Sequence, residues 1–293
     1  MSLMESGDST GEVSLRGMFD REFENIRGRT HSLDELIQIT VRGGWPKLLG
    51  VSEEDASSFL KDMIDKICEI DAQKIDGRKR DVSKLKKTIR SLARNESTVA
   101  TKTKIASDIR EFDTGTVEEE TVSEYLDVFR KLFIIEDQPA YSPNYRSSVR
   151  VGKNPKRHFA DPSLAIAALE MDQISLKQDL NTFGFMFEAL CERDIRIYAQ
   201  TFGGKLYHYR DHSGREIDAV VEIAGGKWGA FEIKLGSNQT DEAAENLRRT
   251  AQFIQKDGGA RPPEFLCVIS GTEGFAYCRP DGVYVVPICM LGP

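Results

Sequence analysis

The stretch from Gly214 to Gly236, GREIDAVVEIAGGKWGAFEIKLG, decides the fold, because a Gly-Gly pair separates two runs rich in Val, Ile, Ala and Phe. This pattern is typical of a strand, a tight turn and a returning strand. If residues 224–226 form a three-residue loop, Asp218 faces Glu232 across the hairpin, whereas a slip of one residue would break this geometry. Because side chains alternate along a strand, one face is apolar and the other carries acids and Lys234.

The composition is typical of folded, soluble domains. The 293 residues suffice for two ordinary domains or one large one, and the 30% of charged residues are mixed in sign. No apolar run approaches the ~20 residues of a membrane-spanning helix. Five scattered cysteines and four histidines lack zinc-like spacing, so we expect reduced thiols, a cytoplasmic location and no membrane association.

The charge is distributed unevenly along the chain. The net charge of −7 disfavours nucleic acid as a partner for the whole surface, but residues 74–110 hold twelve basic and four acidic residues. Residues 140–160 hold five bases and no acid, namely Arg146, Arg150, Lys153, Lys156 and Arg157. Such patches suit docking to another charged surface, or are solvated helix faces.

The N-terminal half predicts a leader followed by helices. Residues 1–30 indicate a flexible leader or tag and a linker, and residues 31–160 a helical and winged-helix domain. Three segments with helical spacing precede two extended segments around the basic loop, which is the order of a winged helix. The segment from Arg146 to Arg157, as part of the wing, is expected to contact DNA phosphates through its five bases. The acids at 118–120 would repel phosphates from the third helix, so a winged helix used for protein packing is the alternative.

Residues 161–293 alternate between helical and strand patterns, which predicts an α/β domain and a chain that is α+β overall. This half carries a constellation of the form E…D…ExK: Glu188 on a helix, then Asp218, Glu232 and Lys234 on the hairpin. Converging carboxylates can hold Mg²⁺, which prefers hard oxygen ligands. A lysine on the same face can stabilise the charge that develops on a phosphodiester.

This order of elements resembles the PD-(D/E)xK nuclease superfamily, which has the restriction-endonuclease-like fold, over about residues 175–290. The resemblance implies a metal-dependent nuclease that uses Mg²⁺ or Mn²⁺. Carried over by position, the metal ligands are Glu188, Asp218 and Glu232, and the catalytic residues are Asp218, Glu232 and Lys234. Ile217 stands where the superfamily name has proline.

Several blocks also resemble the C-terminal domain of unknown function of prokaryotic AAA-type ATPases, built from a winged helix and a nuclease-like fold. These blocks are ITVRGGWPKLLG, HFADPSLAIAAL, FGFMFEAL, YHYRDHSGREIDAVVE and AFEIKLG. One departure is Ser163, where many members have glycine. The chain has no P-loop, so the resemblance implies the C-terminal region of a longer ATPase, with the ATPase module as a partner and no ATP bound by this chain.

A competing hypothesis is a non-catalytic module that binds nucleic acid or protein and regulates or tethers the ATPase. In that case the acids and Lys234 form an ion-pair network, with Glu216 and Arg215 as further partners. Three carboxylates around one lysine argue against this interpretation, because like charges at close range disfavour the ionisation of all of them at once.

Overall fold

The computed structural model describes residues 1–110 and 117–293. Within these residues the helices are α1 (Leu3–Ser6), α2 (Leu15–Asp20), α3 (Leu33–Arg42), α4 (Glu53–Lys66), α5 (Ala72–Lys74), α6 (Val82–Arg94), α7 (Lys102–Arg110), α8 (Glu119–Lys131), α9 (Val149–Gly152), α10 (Pro162–Ala168), α11 (Gln173–Gln178), α12 (Leu180–Gln200) and α13 (Thr240–Gly258). None of the helices described is long and apolar enough to cross a membrane.

The strands are β1 (Val13–Ser14), β2 (Ile26–Arg27), β3 (Ile135–Gln138), β4 (Lys156–Phe159), β5 (Lys205–Arg210), β6 (Glu216–Ile223), β7 (Lys227–Lys234), β8 (Phe265–Ser270), β9 (Phe275–Cys278), β10 (Tyr284–Pro287) and β11 (Leu291–Gly292). Seven of them form one sheet in the order β2-β9-β10-β8-β7-β6-β5. Its β7-β8 and β8-β10 pairs are parallel and the remaining pairs antiparallel. The mixed sheet and the helices confirm the α/β class.

The chain divides into two compact units. The first, here the sheet unit, comprises Met1–Leu36, Gln138–Pro155 and Leu190–Pro293, and the second, here the helical unit, comprises Ile37–Asp137 and Lys156–Ala189. The sequence predicts consecutive domains at 31–160 and 161–293, whereas these units are discontinuous. The difference arises in part because residues 138–155, expected in the wing, are bonded to the edge of the large sheet, where Ala140 forms a bridge with His208 of β5.

The expectation of a flexible leader over residues 1–30 is wrong. Ser2 and Glu5 form a capping box on α1, and the Leu3 amide donates to Asp194 Oδ2 at 2.8 Å. Strand β1 pairs in parallel with β11, and β2 pairs with β9 at the sheet edge. Leu3 and Phe19 are buried, so apolar burial holds this segment in the sheet unit.

Helix α13 covers one face of the large sheet. Its inward side chains Leu247, Ala251 and Ile254 pack with Val220 of β6 and Trp228 of β7 in one buried cluster. The Trp228 indole donates to the Arg261 carbonyl at 2.9 Å, so this large side chain is buried with its polar atom satisfied. The cluster holds β6 and β7 in a fixed position.

The helical unit contains the predicted order of three helices followed by paired strands. Helices α6, α7 and α8 precede the two-stranded sheet of β3 and β4. Ile89 of α6 and Leu126 and Phe129 of α8 are buried at helical spacing. The three lysines of α6, Lys84, Lys86 and Lys87, are half-buried.

Two of the sequence blocks meet inside the helical unit. The Gly44 amide donates to Asp161 Oδ2 at 2.9 Å, and the Trp45 indole donates to Ser163 Oγ at 2.9 Å. Gly43 has φ +70, and a Cβ there would lie 2.3 Å from Ser163 Oγ, so glycine is required. The Gly-Gly-Trp segment thus binds the N-terminus of α10, which Asp161 caps.

Candidate active site

The β6-β7 hairpin has the register predicted from its sequence. Ala219 pairs with Phe231 and Ile223 with Lys227, which leaves a three-residue loop, Ala224–Gly226. In that loop Gly225 and Gly226 have φ of +77 and +68, which explains the pair of glycines. The register therefore places Asp218 and Glu232 one position beyond the last β6-β7 pair.

The two strands separate at this point. The β6-β7 pairing ends at Ala219, whereas β7 continues to pair with β8 as far as Lys234 and Ser270. The Asp218 carboxylate occupies the gap, because its Oδ2 accepts the Ile233 amide at 2.8 Å. The Asp218 side chain thus accepts the amide hydrogen that a backbone carbonyl would accept in a continuous β ladder. The second oxygen of its carboxylate can then bind another group.

Gln138 fixes the backbone on the other side of Asp218. The β5-β6 register shifts between Tyr207 and Tyr209, as in a β-bulge. The buried Gln138 amide donates to the Tyr207 carbonyl at 2.9 Å and to the Asp218 carbonyl at 3.1 Å. No sequence pattern indicates this role, since Gln138 lies in a segment assigned to the wing, about 80 residues before the hairpin.

Lys234 lies between the two carboxylates. Its Nζ is 3.0 Å from Glu232 Oε1 and 4.0 Å from Asp218 Oδ2. The side chains of Asp218, Glu232 and Lys234 are 16%, 9% and 29% exposed, so the group is partly shielded yet open to solvent on the lysine side. Low local polarity strengthens each of these attractions compared with water.

The further partners expected of an ion-pair network bind elsewhere. Glu216, predicted opposite Lys234, pairs with Arg210 at 2.8 Å, and Arg215 pairs with Asp211 at 2.7 Å. Among the residues that the structure describes, no group of three or more His, Cys, Asp or Glu side chains is placed to hold a metal ion. The hairpin itself therefore presents two carboxylates and one lysine.

Glu188 belongs to the helical unit, where Lys156 Nζ donates to its Oε1. Lys156 and Arg157 are both buried, and Arg157 contacts the Ala100 carbonyl and Asp137. Burial lowers the pKa of Arg157. Both residues are part of β4, and their burial leaves neither with the exposed position that phosphate contact requires.

Arg150 is also held within the protein. Its guanidinium makes a bidentate pair with Glu222 at 2.9 and 3.0 Å, and it lies over the rings of Tyr141, Tyr145 and Tyr207. The hydrogen bond to Glu222 is the main reason that the pKa of Arg150 is raised. Arg146 and Lys153 are the two predicted phosphate-contacting residues with exposed positions.

The five cysteines are free, as the composition predicts, although Cys278 is exposed while the other four are buried. Burial raises the pKa of the Cys68 thiol to about 12. The Cys68 thiol is therefore a poor candidate for a nucleophile or metal ligand, which requires the thiolate.

Comparisons with known proteins divide the chain into two matched regions. Residues 33–175 match a domain of unknown function (DUF8612), and residues 183–291 match a second domain of unknown function (DUF4143). The second region contains β5 to β10 and the hairpin. No match was found among curated proteins or among solved structures. The fold and the comparisons together thus describe a chain with two domains of unknown function and a mixed α/β sheet.

Proposed function

We propose that the sheet unit is a metal-dependent nuclease domain whose site is formed by Asp218, Glu232 and Lys234. The observation that carries the proposal is the separation of β6 and β7, where two carboxylates and a lysine converge without a backbone ladder between them. The order of residues in the sequence supports the proposal, because Glu232 and Lys234 form the ExK pattern and Asp218 is the aspartate that precedes it.

The donor set suits a hard divalent cation. Mg²⁺ retains several waters and is commonly bound by one or two carboxylates together with substrate phosphates. Asp218 and Glu232 would hold Mg²⁺ or Mn²⁺. When bound, such an ion supplies an activated water and neutralises charge on the phosphodiester.

The protein groups then have separate roles. The Ile233 amide and the Gln138 side chain hold Asp218 in position from two sides. Lys234 is the most exposed of the three side chains, so its ammonium can turn from Glu232 to a phosphate oxygen in solvent. There it would stabilise the negative charge of the transition state.

The helical unit is proposed to be a winged helix, on the basis of α6, α7 and α8 followed by β3 and β4. The chain is proposed to be the C-terminal region of a prokaryotic AAA-type ATPase. This proposal rests on the sequence blocks and on the frequent occurrence of the second matched domain in AAA-ATPase-associated proteins. DNA is the proposed substrate, and Arg146 and Lys153 are the exposed bases that would contact its phosphates.

A non-catalytic binding module is the second candidate, and one observation favours it. Lys234 is only 3.0 Å from Glu232, which is the contact of an ordinary ion pair. A lysine that merely neutralises Glu232 needs neither metal nor substrate.

Cleavage assays distinguish the two candidates. We expect the purified chain with Mn²⁺ to nick plasmid DNA, and Lys234→Ala to lose nicking while it still binds the metal. Glu216→Gln is the matched control, because it alters an exposed acid of the same hairpin, on β6, that pairs with Arg210. Nicking that survives in Lys234→Ala would show a contaminant or another site, and a chain that binds Mn²⁺ without nicking would favour the binding module.

A further inference from the structure

A groove in the helical unit, here the α6 groove, lies along α6, where it is bordered by α4, by α7 and by the C-terminal end of α10. It consists of two cavities of about 610 and 450 Å³. Both are lined by Lys87 and Arg90, so the cavities adjoin along one face of the helix. None of the residues proposed for the nuclease site belongs to it.

The floor of the groove is apolar. The first cavity is lined by Ile64 of α4, Ile89 of α6 and Ala167 of α10, and the second by Ile109 and Leu169. Ile64, Ile89, Ala167 and Ile109 form part of the packed core of the unit, so the floor is a fixed surface. A partner that covers it removes apolar side chains of its own from water.

The rim is mainly basic. Five basic side chains line the two cavities, compared with three acidic ones, in a chain whose net charge is −7. The acids already have cationic neighbours, since Asp65 lies 2.7 Å from Lys86 and Asp108 lies 2.7 Å from Lys104. These contacts also occupy Lys86 and Arg94, so what the rim offers to an acidic partner is its excess of five basic over three acidic side chains.

The rim pair of Arg90 and Glu170 can open for such a partner. These side chains are 61% and 68% exposed and 3.7 Å apart. Exposed pairs of this kind contribute only about 0–1 kcal/mol. Arg90 can thus exchange Glu170 for a carboxylate of another chain.

We propose that the α6 groove binds an amphipathic helix of a partner protein, with an apolar stripe on the floor and acidic residues along the rim. Helices commonly bind in grooves of this kind through apolar residues at helical spacing. Nucleic acid fits less well. Among the described residues that line the two cavities no aromatic side chain is present on which a base could stack, and phosphates gain nothing from an apolar floor.

Binding can be measured with a fluorescein-labelled peptide of about four helical turns, with Leu at helical spacing and Glu elsewhere. We expect its fluorescence anisotropy to rise on titration with the full chain. Lys87→Glu with Arg90→Glu should weaken binding about tenfold or more, because two attractive rim charges become repulsive. Peptides with Lys in place of Glu, or Ser in place of Leu, should not bind.

The matched control is Lys66→Glu with Lys131→Glu, which changes net charge equally at exposed positions outside the groove. It should leave peptide affinity within about twofold. Ala168→Leu, which narrows the first cavity without a charge change, should also weaken binding. Circular dichroism and Mn²⁺ titration of each variant show whether the fold and the hairpin site are intact.

Three results would overturn the proposal. One is an unchanged peptide affinity in the doubly reversed variant. Another is binding of duplex DNA that Lys87→Glu with Arg90→Glu weakens, together with no binding of the acidic peptide. The third is self-association of the chain that the doubly reversed variant abolishes, which would make the groove an interface between copies. Failure of Mn²⁺ binding would leave this proposal untouched, because the groove shares no residue with the hairpin site.

Discussion

Replacement of Gly43 by alanine tests how the Gly-Gly-Trp block is built into the helical unit. Gly43 follows α3 with φ +70, a conformation that costs a residue with a Cβ about 1 kcal/mol. The new Cβ would also lie 2.3 Å from Ser163 Oγ and 2.5 Å from Asp161 Oδ1, both buried. One of these groups must move.

The cost of that movement follows from the bonds it breaks. Asp161 accepts the Gly44 amide at 2.9 Å, and Ser163 Oγ accepts the Trp45 indole at 2.9 Å. A hydrogen bond to a charged group contributes about 1.5–3 kcal/mol and a neutral one about 1 kcal/mol. With the backbone term, Gly43→Ala should lower the free energy of unfolding by roughly 4 kcal/mol.

Urea denaturation followed by circular dichroism and tryptophan fluorescence measures this loss. Gly50→Ala is the matched control, because Gly50 has φ +74 and nothing within 4 Å of a Cβ. It should lose only about 1 kcal/mol. Equal losses of unfolding free energy in Gly43→Ala and Gly50→Ala would refute the packing argument. Gly43→Ala should also cost less in a protein that carries Ser163→Gly, because the clash is then absent, and an unchanged cost would refute the argument as well.

Two further predictions concern charged groups. Arg150→Met should destabilise the sheet unit by about 3 kcal/mol, because it leaves the Glu222 side chain, which is only 10% exposed, without its bidentate partner. Exposed Arg146→Met should change stability by less than about 0.5 kcal/mol, and equal effects of the two variants in urea denaturation would contradict the structural role of Arg150. Burial opposes ionisation of Asp108, but hydrogen bonds from Lys104, Asn95 and Ser91 outweigh it and lower its pKa. Its contribution to stability should therefore be complete above the unfolded pKa of about 3.9 and be lost as pH falls through the lower folded value. Asp108→Asn should remove that part of the acid dependence of the denaturation midpoint, and an unchanged acid profile would show that other carboxylates dominate.

The sequence predicted the hairpin well because two local signals agree there. Alternating apolar residues set the faces, and Gly225 and Gly226 fix a three-residue loop, so the register of Asp218 and Glu232 follows. Helix α3 depends on a signal of the same local kind, since Ser32 and Glu35 cap its start. Both features depend on residues that are neighbours in the chain.

Features that depend on distant residues were missed. Strands β1 and β2 have two residues each, too short for a pattern, and they form only because β11 and β9 are present to pair with them. Lys156 belongs to a basic run in the sequence, yet its bond to Glu188 takes it out of solvent. Composition cannot distinguish a solvated base from one that neutralises a buried acid.

The proposed nuclease site requires that Asp218 and Glu232 bind a divalent cation. Isothermal calorimetry of the full chain with Mn²⁺ tests it most directly. We expect one saturable site in the parent chain and in Glu216→Gln, and loss of that site in Asp218→Asn, which keeps the shape of the side chain but removes its charge. Parent protein that shows no heat of binding at millimolar Mn²⁺, or Asp218→Asn that binds as the parent does, would contradict it.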